Sequence, residues 1–458
     1  MRFTIGQSKA NFLCITISAL SFNMAFMFPE TCGWMVFIFL IPVFYIAFNI
    51  KKKISFALGM WWGICFFACH LVAAAIVLMQ KAEGSFRLLP WFFFVLYLAA
   101  HAALWLYALS HYNNSCKHIS AKILTCSFVT WIYFFYMRYI VFWPCGSLVG
   151  YCFSFPLLPL AVNPTYLTAM HIVGSLGLLF LLILGQACLA GFLAGYTKVI
   201  GGAFFSIFFF IFPWKHTTSF HAPAYIQQLC YAQPPPYHIY DPLERAEEIN
   251  IQITKALARK PSALCILMPE SSCPFFLNTF PEVIRLWGYN ALSQDHILCI
   301  GSYRADACFK YNTLFMIKKC RIIDFYDKSF LMPIVEFIPS FLKKIICIKE
   351  LFLKSHSEFS PRRGTYKPLL LTKSFYVYPL ICSDVYMRPL SLLCEKGTNN
   401  NFPILLIVND AWFSLPYAQK LMFLFAKYYA IENKKDLIYI GHFFGCWISN
   451  LTGKTILL

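Results

Sequence analysis

Acidic residues are scarce in the first half of this chain. Residues 1–214 hold only Glu30 and Glu83, against eleven Lys and Arg. Charged residues make up 13% of the 458, whereas a soluble domain carries about 25%. That excludes a wholly soluble chain, and 59% hydrophobic residues exclude a disordered one. Metal signatures are missing as well. None of the 19 cysteines forms a CxxC pair, no Cys/His set has zinc spacing, and there is no HExxH. Gly453-Lys454-Thr455 has the end of a P-loop, but Ile448 stands where the first Gly is required. The net charge of +18 splits into +9 on each half, so there is no single basic patch. Neither a metal, a cofactor nor a nucleic acid is expected.

What is present falls into two parts, 1–214 and 215–458. The first holds about seven apolar runs of spanning type: Asn11–Phe28, Gly33–Ile50, Ile54–Met79, Leu88–Leu109, Ile123–Val141, Leu167–Ala194 and Val199–Trp214. Alternate short loops starting inside carry eight Lys/Arg, and the others only Lys81 and Arg87. The bias places the N-terminus in the cytoplasm and, after seven spans, residues 215–458 outside it. Arg138 is the one charge inside a span, either a functional group or a side chain snorkelling to the interface. The uncharged, Pro- and Gly-rich segment Trp143–Pro164 reads as a loop at the outer membrane surface. It is either a connector or the floor of a lipid-facing site.

The second part alternates short β-branched runs with helix-like segments, which argues for an α/β domain. Polar residues recur just past its apolar runs: Glu270 after Ala263–Met268, Lys328 after Arg321–Phe325, Cys382 after Phe375–Ile381, and Asn409-Asp410 after Pro403–Val408. Strand carboxyl ends gather ligand and catalytic groups in such sheets, so Glu270, Lys328, Cys382 and Asp410 are candidates for one crevice. Three of them form a workable acyl-transfer set. Cys382 is the nucleophile, Glu270 takes its proton, and Lys328 steadies the oxyanion, with the Ser383 N–H as a second donor. The alternative for each is packing, helix capping or a solvated turn. Most other cysteines, Cys265 and Cys299 among them, read as small core hydrophobes. Lys343–Lys373 holds eight Lys/Arg against two Glu, either a solvated face or an arm lying on anionic lipid.

These residues carry a resemblance. Met268-Pro269-Glu270, Tyr326-Asp327-Lys328 with Leu331-Met332-Pro333 and Glu336-Phe337-Ile338-Pro339, Ile381-Cys382, Asn409-Asp410-Ala411-Trp412-Phe413 and Ala430-Ile431-Glu432 occur in the order found in apolipoprotein N-acyltransferases. In the first part, Arg138 and Trp143-Pro144-Cys145-Gly146 with Gly150-Tyr151 resemble that family's Arg and aromatic–glycine loop. The resemblance implies a multi-pass α-helical membrane domain and an extracytoplasmic α/β nitrilase-like domain with an αββα sandwich. It implies catalysis by Glu270, Lys328 and Cys382, support from Glu336, Ser383 and Asp384, and substrate binding by Tyr240, Asn409 and Trp412. It further implies a phospholipid acyl donor, an apolipoprotein acceptor, a surrounding membrane lipid, a monomer, and a bacterial inner membrane with the catalytic domain on the periplasmic side.

The sequence departs from the family in places. Cys382-Ser383-Asp384 replaces Cys-Tyr-Glu, Ile334-Val335 replaces Phe-Gly, Tyr240 stands for a Trp, and Lys420 for a common His. The family pattern also extends beyond Leu458 into a last membrane helix. A membrane-anchored amidase would use the same trio, and a degenerate scaffold would tolerate the departures. A transporter is disfavoured by the single charge within the spans.

Overall fold

The computed structural model describes residues 5–48, 52–81, 88–140, 152–212, 224–236, 241–290, 292, 295–306, 309–331, 336, 367–372, 375–386, 402–413, 415–450 and 453–458. The chain divides into two compact units. The first comprises Met1–Phe142, Leu148–His216 and Phe413–Leu424, and the second Trp143–Ser147, Thr217–Trp412 and Phe425–Leu458.

The first unit is helical: α1 (Ile5–Met27), α2 (Lys52–His70), α3 (Leu89–Ser115), α4 (Ile119–Tyr139), α5 (Met170–Leu193) and α6 (Ile200–Ile211). Among the described residues, five segments are long and apolar enough to cross a membrane: Lys9–Met27, Pro29–Ala47, Trp91–Ser115, Ile119–Tyr139 and Met170–Leu193. Ile54–His70 and Thr197–Ile211 are shorter apolar helices. The expected run Ile54–Met79 is two helices, because the chain turns at Leu71 and resumes as Val72–Lys81. Trp91 Nε1 donates to the Leu71 carbonyl at 3.1 Å, which serves a backbone group at that break.

The second apolar run is also broken. It consists of Pro29–Cys32, a 3-10 turn Gly33–Phe37, and Ile41–Ala47. Pro42 has no N–H to continue a helix through residue 38. Gln186 of α5 serves an N–H and a carbonyl at this break: its Oε1 accepts from Leu40 N at 2.8 Å, and its Nε2 donates to Val36 O at 3.1 Å. Such repair lets irregular backbone exist within an apolar bundle. Gly59 and Gly63 let α2 approach α3 closely; a Cβ at Gly63 would lie 2.5 Å from Ala99 Cα. Arg138 is buried at the end of α4, its guanidinium 4.2 Å from the Phe155 ring centroid. The described part of the expected loop contains the 3-10 turns Cys152–Ser154 and Pro159–Val162, with Phe155, Leu157, Leu158 and Leu160 buried. Trp143–Tyr151 lies outside the described residues.

The second unit contains two sheets. One runs β1 (Leu229–Tyr231), β2 (Cys265–Leu267), β3 (Ile297–Asp306), β4 (Phe309–Lys318), β5 (Arg321–Asp327), in that order. The other runs β6 (Leu369–Thr372), β7 (Phe375–Ile381), β8 (Ile404–Ile407), β9 (Leu437–Ile440), β10 (Cys446–Ser449), β11 (Thr455–Leu457). Neighbours are parallel from β1 to β3 and from β7 to β9, and antiparallel elsewhere. Parallel pairs need crossovers: α7 (Pro242–Arg259) leads from β1 to β2, α8 (Pro281–Asn290) from β2 to β3, and α9 (Pro416–Glu432) from β8 to β9. Asp241 caps α7, its Oδ1 accepting from Leu243 N and Glu244 N at 2.9 Å each.

Strand periodicity sorts the core into two layers. Ile266, Met268, Leu298, Ile300, Phe315 and Ile317 pack with Ala246, Ile249 and Ile253 of α7. The alternate residues Leu267, Cys299, Leu314 and Met316 meet Val377, Ile381, Leu405, Ile407 and Ile438 between the sheets. The result is an αββα sandwich, and the central parallel strands β2, β8 and β9 are buried at every position, so they read as continuous apolar runs. The fourteen cysteines described as thiols are free, and Cys265 and Cys299 meet in the inter-sheet layer with sulfurs 3.6 Å apart. The first half of α9 belongs to the first unit, where Tyr417 Oη accepts from Ala73 N at 3.2 Å and Lys420 pairs with Glu30.

Gly301 of β3 has the backbone of Pro269–Ser271 against it; a Cβ there would lie 2.5 Å from Glu270 Cα and 2.6 Å from Pro269 O. Backbone cannot yield as a side chain does. Gly301→Ala should therefore lower stability by about 2 kcal/mol or more, read as a lower melting temperature than that of the wild type.

Candidate active site

Four strand ends converge here. Glu270 follows β2, Lys328 follows β5, Cys382 follows β7 and Asn409 follows β8. Glu270 is 4% exposed and Lys328 3% exposed, so neither charge is solvated and each must be satisfied by the protein. Lys328 Nζ donates to Glu270 Oε1 at 3.1 Å and to Glu336 Oε1 at 2.9 Å. Glu270 Oε2 accepts from the Asn409 backbone N–H at 2.7 Å. Burial alone would push the Lys328 ammonium down, but Glu270 and Glu336 outweigh it and hold the group charged well above the usual lysine value.

Cys382 begins a 3-10 turn, Cys382–Tyr386, with φ of +45°, a left-handed conformation that side chains other than glycine rarely adopt. Ser271, directly after Glu270, is left-handed too, at +56°. Burial pushes the Cys382 thiol well above its ordinary value, and the Glu270 carboxylate, which hydrogen-bonds it, pushes further; Lys328 pulls the other way. The resting thiol therefore keeps its proton. Glu270 Oε1 accepts from Asn312 Nδ2 and Lys328 Nζ, while among the described residues Oε2 accepts from Asn409 N.

A second shell of hydrogen bonds shapes the cysteine turn. Asp384 is fully buried, and its two oxygens accept four hydrogen bonds: Ser329 Oγ at 3.0 Å, Phe330 N at 2.8 Å, Tyr326 Oη at 3.0 Å and Ile381 N at 2.9 Å. Ser383 Oγ donates to Phe330 O at 2.6 Å. Asp384 and Ser383 thus tie the Cys382 turn to the segment that carries Lys328.

Asp410, a candidate for the same crevice, is spent on structure. It accepts from the backbone N–H groups of His442, Phe443 and Phe444 at 2.7–2.9 Å, and a Cβ on Gly441 would collide with it. The loop it holds turns His442 inward, and His442 Nε2 lies 2.5 Å from the Glu270 carbonyl oxygen. Burial lowers the His442 imidazole to about 4. The ring is therefore neutral with its proton on Nε2, since a carbonyl only accepts.

Of the expected site residues, Glu270, Lys328, Glu336, Cys382, Ser383 and Asp384 come together. Asn409 meets Glu270 through its backbone, Trp412 is half-buried in the turn Asp410–Trp412, and Tyr240 lies outside the described residues. Asn312, Tyr326, Ser329 and His442 were not anticipated; each is a polar residue inside or beside an apolar strand.

No family model matches the chain. It is 27% identical over 199 residues to the apolipoprotein N-acyltransferase of Helicobacter pylori (strain ATCC 700392 / 26695), across 43% of this chain and 44% of that protein. It is 28% identical over 195 residues to that of Caulobacter vibrioides (strain ATCC 19089 / CIP 103742 / CB 15), across 40% and 35%. The chain is similar to the apolipoprotein N-acyltransferases. It spans less than half the length of these curated relatives. Among solved structures, the carbon-nitrogen hydrolase of Helicobacter pylori G27 aligns with a TM-score of 0.36 at 12% identity, covering 50% of this chain and 82% of that one.

Burial raises Asp384 to about 6, against the opposing pull of the Ile381 N–H and Lys328. The folded state thus holds this proton more tightly than the unfolded chain, whose aspartates titrate near about 4. Its contribution to stability is fullest below about pH 4 and is lost as pH rises towards 6, by about 3 kcal/mol at most. In melting experiments, the stability of the wild type relative to Asp384→Asn should fall across that window.

Proposed function

We propose that the chain transfers an acyl chain from a phospholipid to the N-terminal amine of a diacylglyceryl-cysteine apolipoprotein, through a thioester on Cys382. The observation that carries this reading is the buried Glu270–Lys328–Cys382 cluster, in a chain whose other unit has five membrane-capable helices. The names of its relatives support the same assignment.

The chemistry runs in two halves. Glu270 removes the Cys382 proton as sulfur attacks the ester carbonyl. The oxyanion forms against the Lys328 ammonium, with the Ser383 N–H as second donor. Collapse breaks the C–O bond, and the lysophospholipid alcohol leaves with the proton held by Glu270. The acceptor amine then attacks the thioester, Glu270 takes its proton, and the restored thiolate recovers it. A thioester suits this sequence because amines attack it readily. A thiol that stays protonated at rest suits it too, because the nucleophile is released only when an ester is in place.

Glu336 stabilises the Lys328 charge, and Asp384 and Ser383 set the cysteine turn. Asn409, Trp412 and Tyr240 are assigned to the substrate side. The charge bias of the short loops supports residues 215–458 on the periplasmic side. The relatives support a multi-pass protein of the bacterial inner membrane, to which we assign a monomer in membrane lipid.

Incubation with phospholipid bearing a labelled acyl chain should leave hydroxylamine-sensitive label on the wild type and none on Cys382→Ala. A folded wild type that takes no label would sink the proposal. Addition of a diacylglyceryl-cysteine peptide should move the label into an amide, whereas release as free acid would indicate a hydrolase.

A further inference from the structure

Asn312 takes no part in the steps above, yet it touches three of the groups they use. It lies on β4, between β3 and β5, and is buried. Its Nδ2 donates to Glu270 Oε1 at 2.7 Å and to Glu336 Oε1 at 2.9 Å. Its backbone carbonyl accepts from Lys328 N at 2.8 Å. Carboxylates can only accept, so the amide is forced to present its NH2 to both. Asn312 Oδ1 is thereby buried with no hydrogen-bond partner among the described residues. An unpaired buried carbonyl costs stability, and an apolar residue of the same shape would avoid it. What the amide supplies in return is a donor common to two carboxylates that also share Lys328.

We propose that Asn312 is a positioning residue, whose amide holds Glu270 and Glu336 at the spacing where both meet Lys328 and so aims Glu270 for removal of the Cys382 proton. This rests on the catalytic reading of Glu270, Lys328 and Cys382. Two carboxylates this close repel, and among the described residues Lys328 is the cation that both meet. A neutral donor shared between them holds both without adding a charge that would hold the thiol proton or capture the thiolate. The other titratable groups around the cluster come from every side: Cys382 and Asp384 from the turn after β7, Tyr303 from β3, Tyr439 from β9, and His442 from the loop beyond it.

The test is the pre-steady-state burst of p-nitrophenol from p-nitrophenyl butyrate, measured from pH 5 to 9 on the full chain in detergent. This short activated ester reports acylation of Cys382 without needing a lipid, so failure with phospholipid alone leaves it readable. Asn312→Asp keeps the shape but sets a third carboxylate against one ammonium. Its burst rate at pH 7 should fall at least about tenfold, and the acid limb of its profile should move up by about one pH unit or more. Asn312→Leu removes the donor without adding charge, and its limb should move in the same direction by less. Profiles that keep the wild-type limb in both variants, with only the amplitude reduced, would assign Asn312 a purely structural role and overturn the proposal. So would a wild type with no burst that depends on Cys382.

Discussion

One buried ammonium shared by a buried and a partly buried carboxylate is the interaction on which the rest of the second unit depends. Lys328 meets Glu270 and Glu336 at 3.1 and 2.9 Å. Removing any one member would strand charge in a medium that cannot solvate it. The surroundings follow from that constraint. Asn312 and the Asn409 N–H supply neutral donors, which satisfy oxygen lone pairs without altering the charge balance. Asp384 is kept apart and satisfied by its own four donors, so the nearby turn gains rigidity without competing for Lys328.

In the first unit, the buried polar side chains among the described residues are, apart from Arg138, hydroxyls, amides and an imidazole. Gln186 repairs the backbone around Leu40, Asn113 Nδ2 donates to Ala47 O at 2.7 Å, and Asn23 Nδ2 reaches Phe66 O at 3.0 Å. Each joins segments distant in sequence, and each sits where a helix ends or lies against another. In an apolar bundle, such amides hold irregular backbone that hydropathy alone would not tolerate.

Much of this was legible from the sequence, for identifiable reasons. Glu270, Lys328 and Cys382 stand just beyond runs of apolar residues, and the end of a strand is where a polar side chain becomes available. Asp384 and Ser383 were legible as neighbours of Cys382, although which groups they bind was not, because Tyr326 and Ser329 approach only through the sheets. Asn312 was hidden. It is a single amide within Phe309–Lys318, and its meaning depends on the β4–β5 register that sets its backbone against Lys328. His442 was hidden for a similar reason, because it acts on a backbone carbonyl 172 positions away. In the helical unit, apolar runs were found where helices occur, but the breaks at Leu71 and at residues 33–40 were not. A 3-10 turn and an α-helix of equal hydropathy look alike until their packing partners are known. The burial of Phe155, Leu157, Leu158 and Leu160 was not legible either, because an uncharged, Pro-rich segment reads alike whether it packs on protein or on lipid.

Glu270 and Cys382, the proposed base and nucleophile, belong to different sheets. Glu270 and Lys328 end strands of the first, and Cys382 and Asn409 end strands of the second. The layer of Leu267, Cys299, Met316, Ile381, Leu405 and Ile407 lies between the sheets. That layer works as a spacer, and its thickness sets how closely the two sets of strand ends can meet. Because close-packed interiors transmit small changes of volume rather than absorbing them, a single methylene gained or lost deep in this apolar seam is carried to the spacing of Glu270 and Cys382.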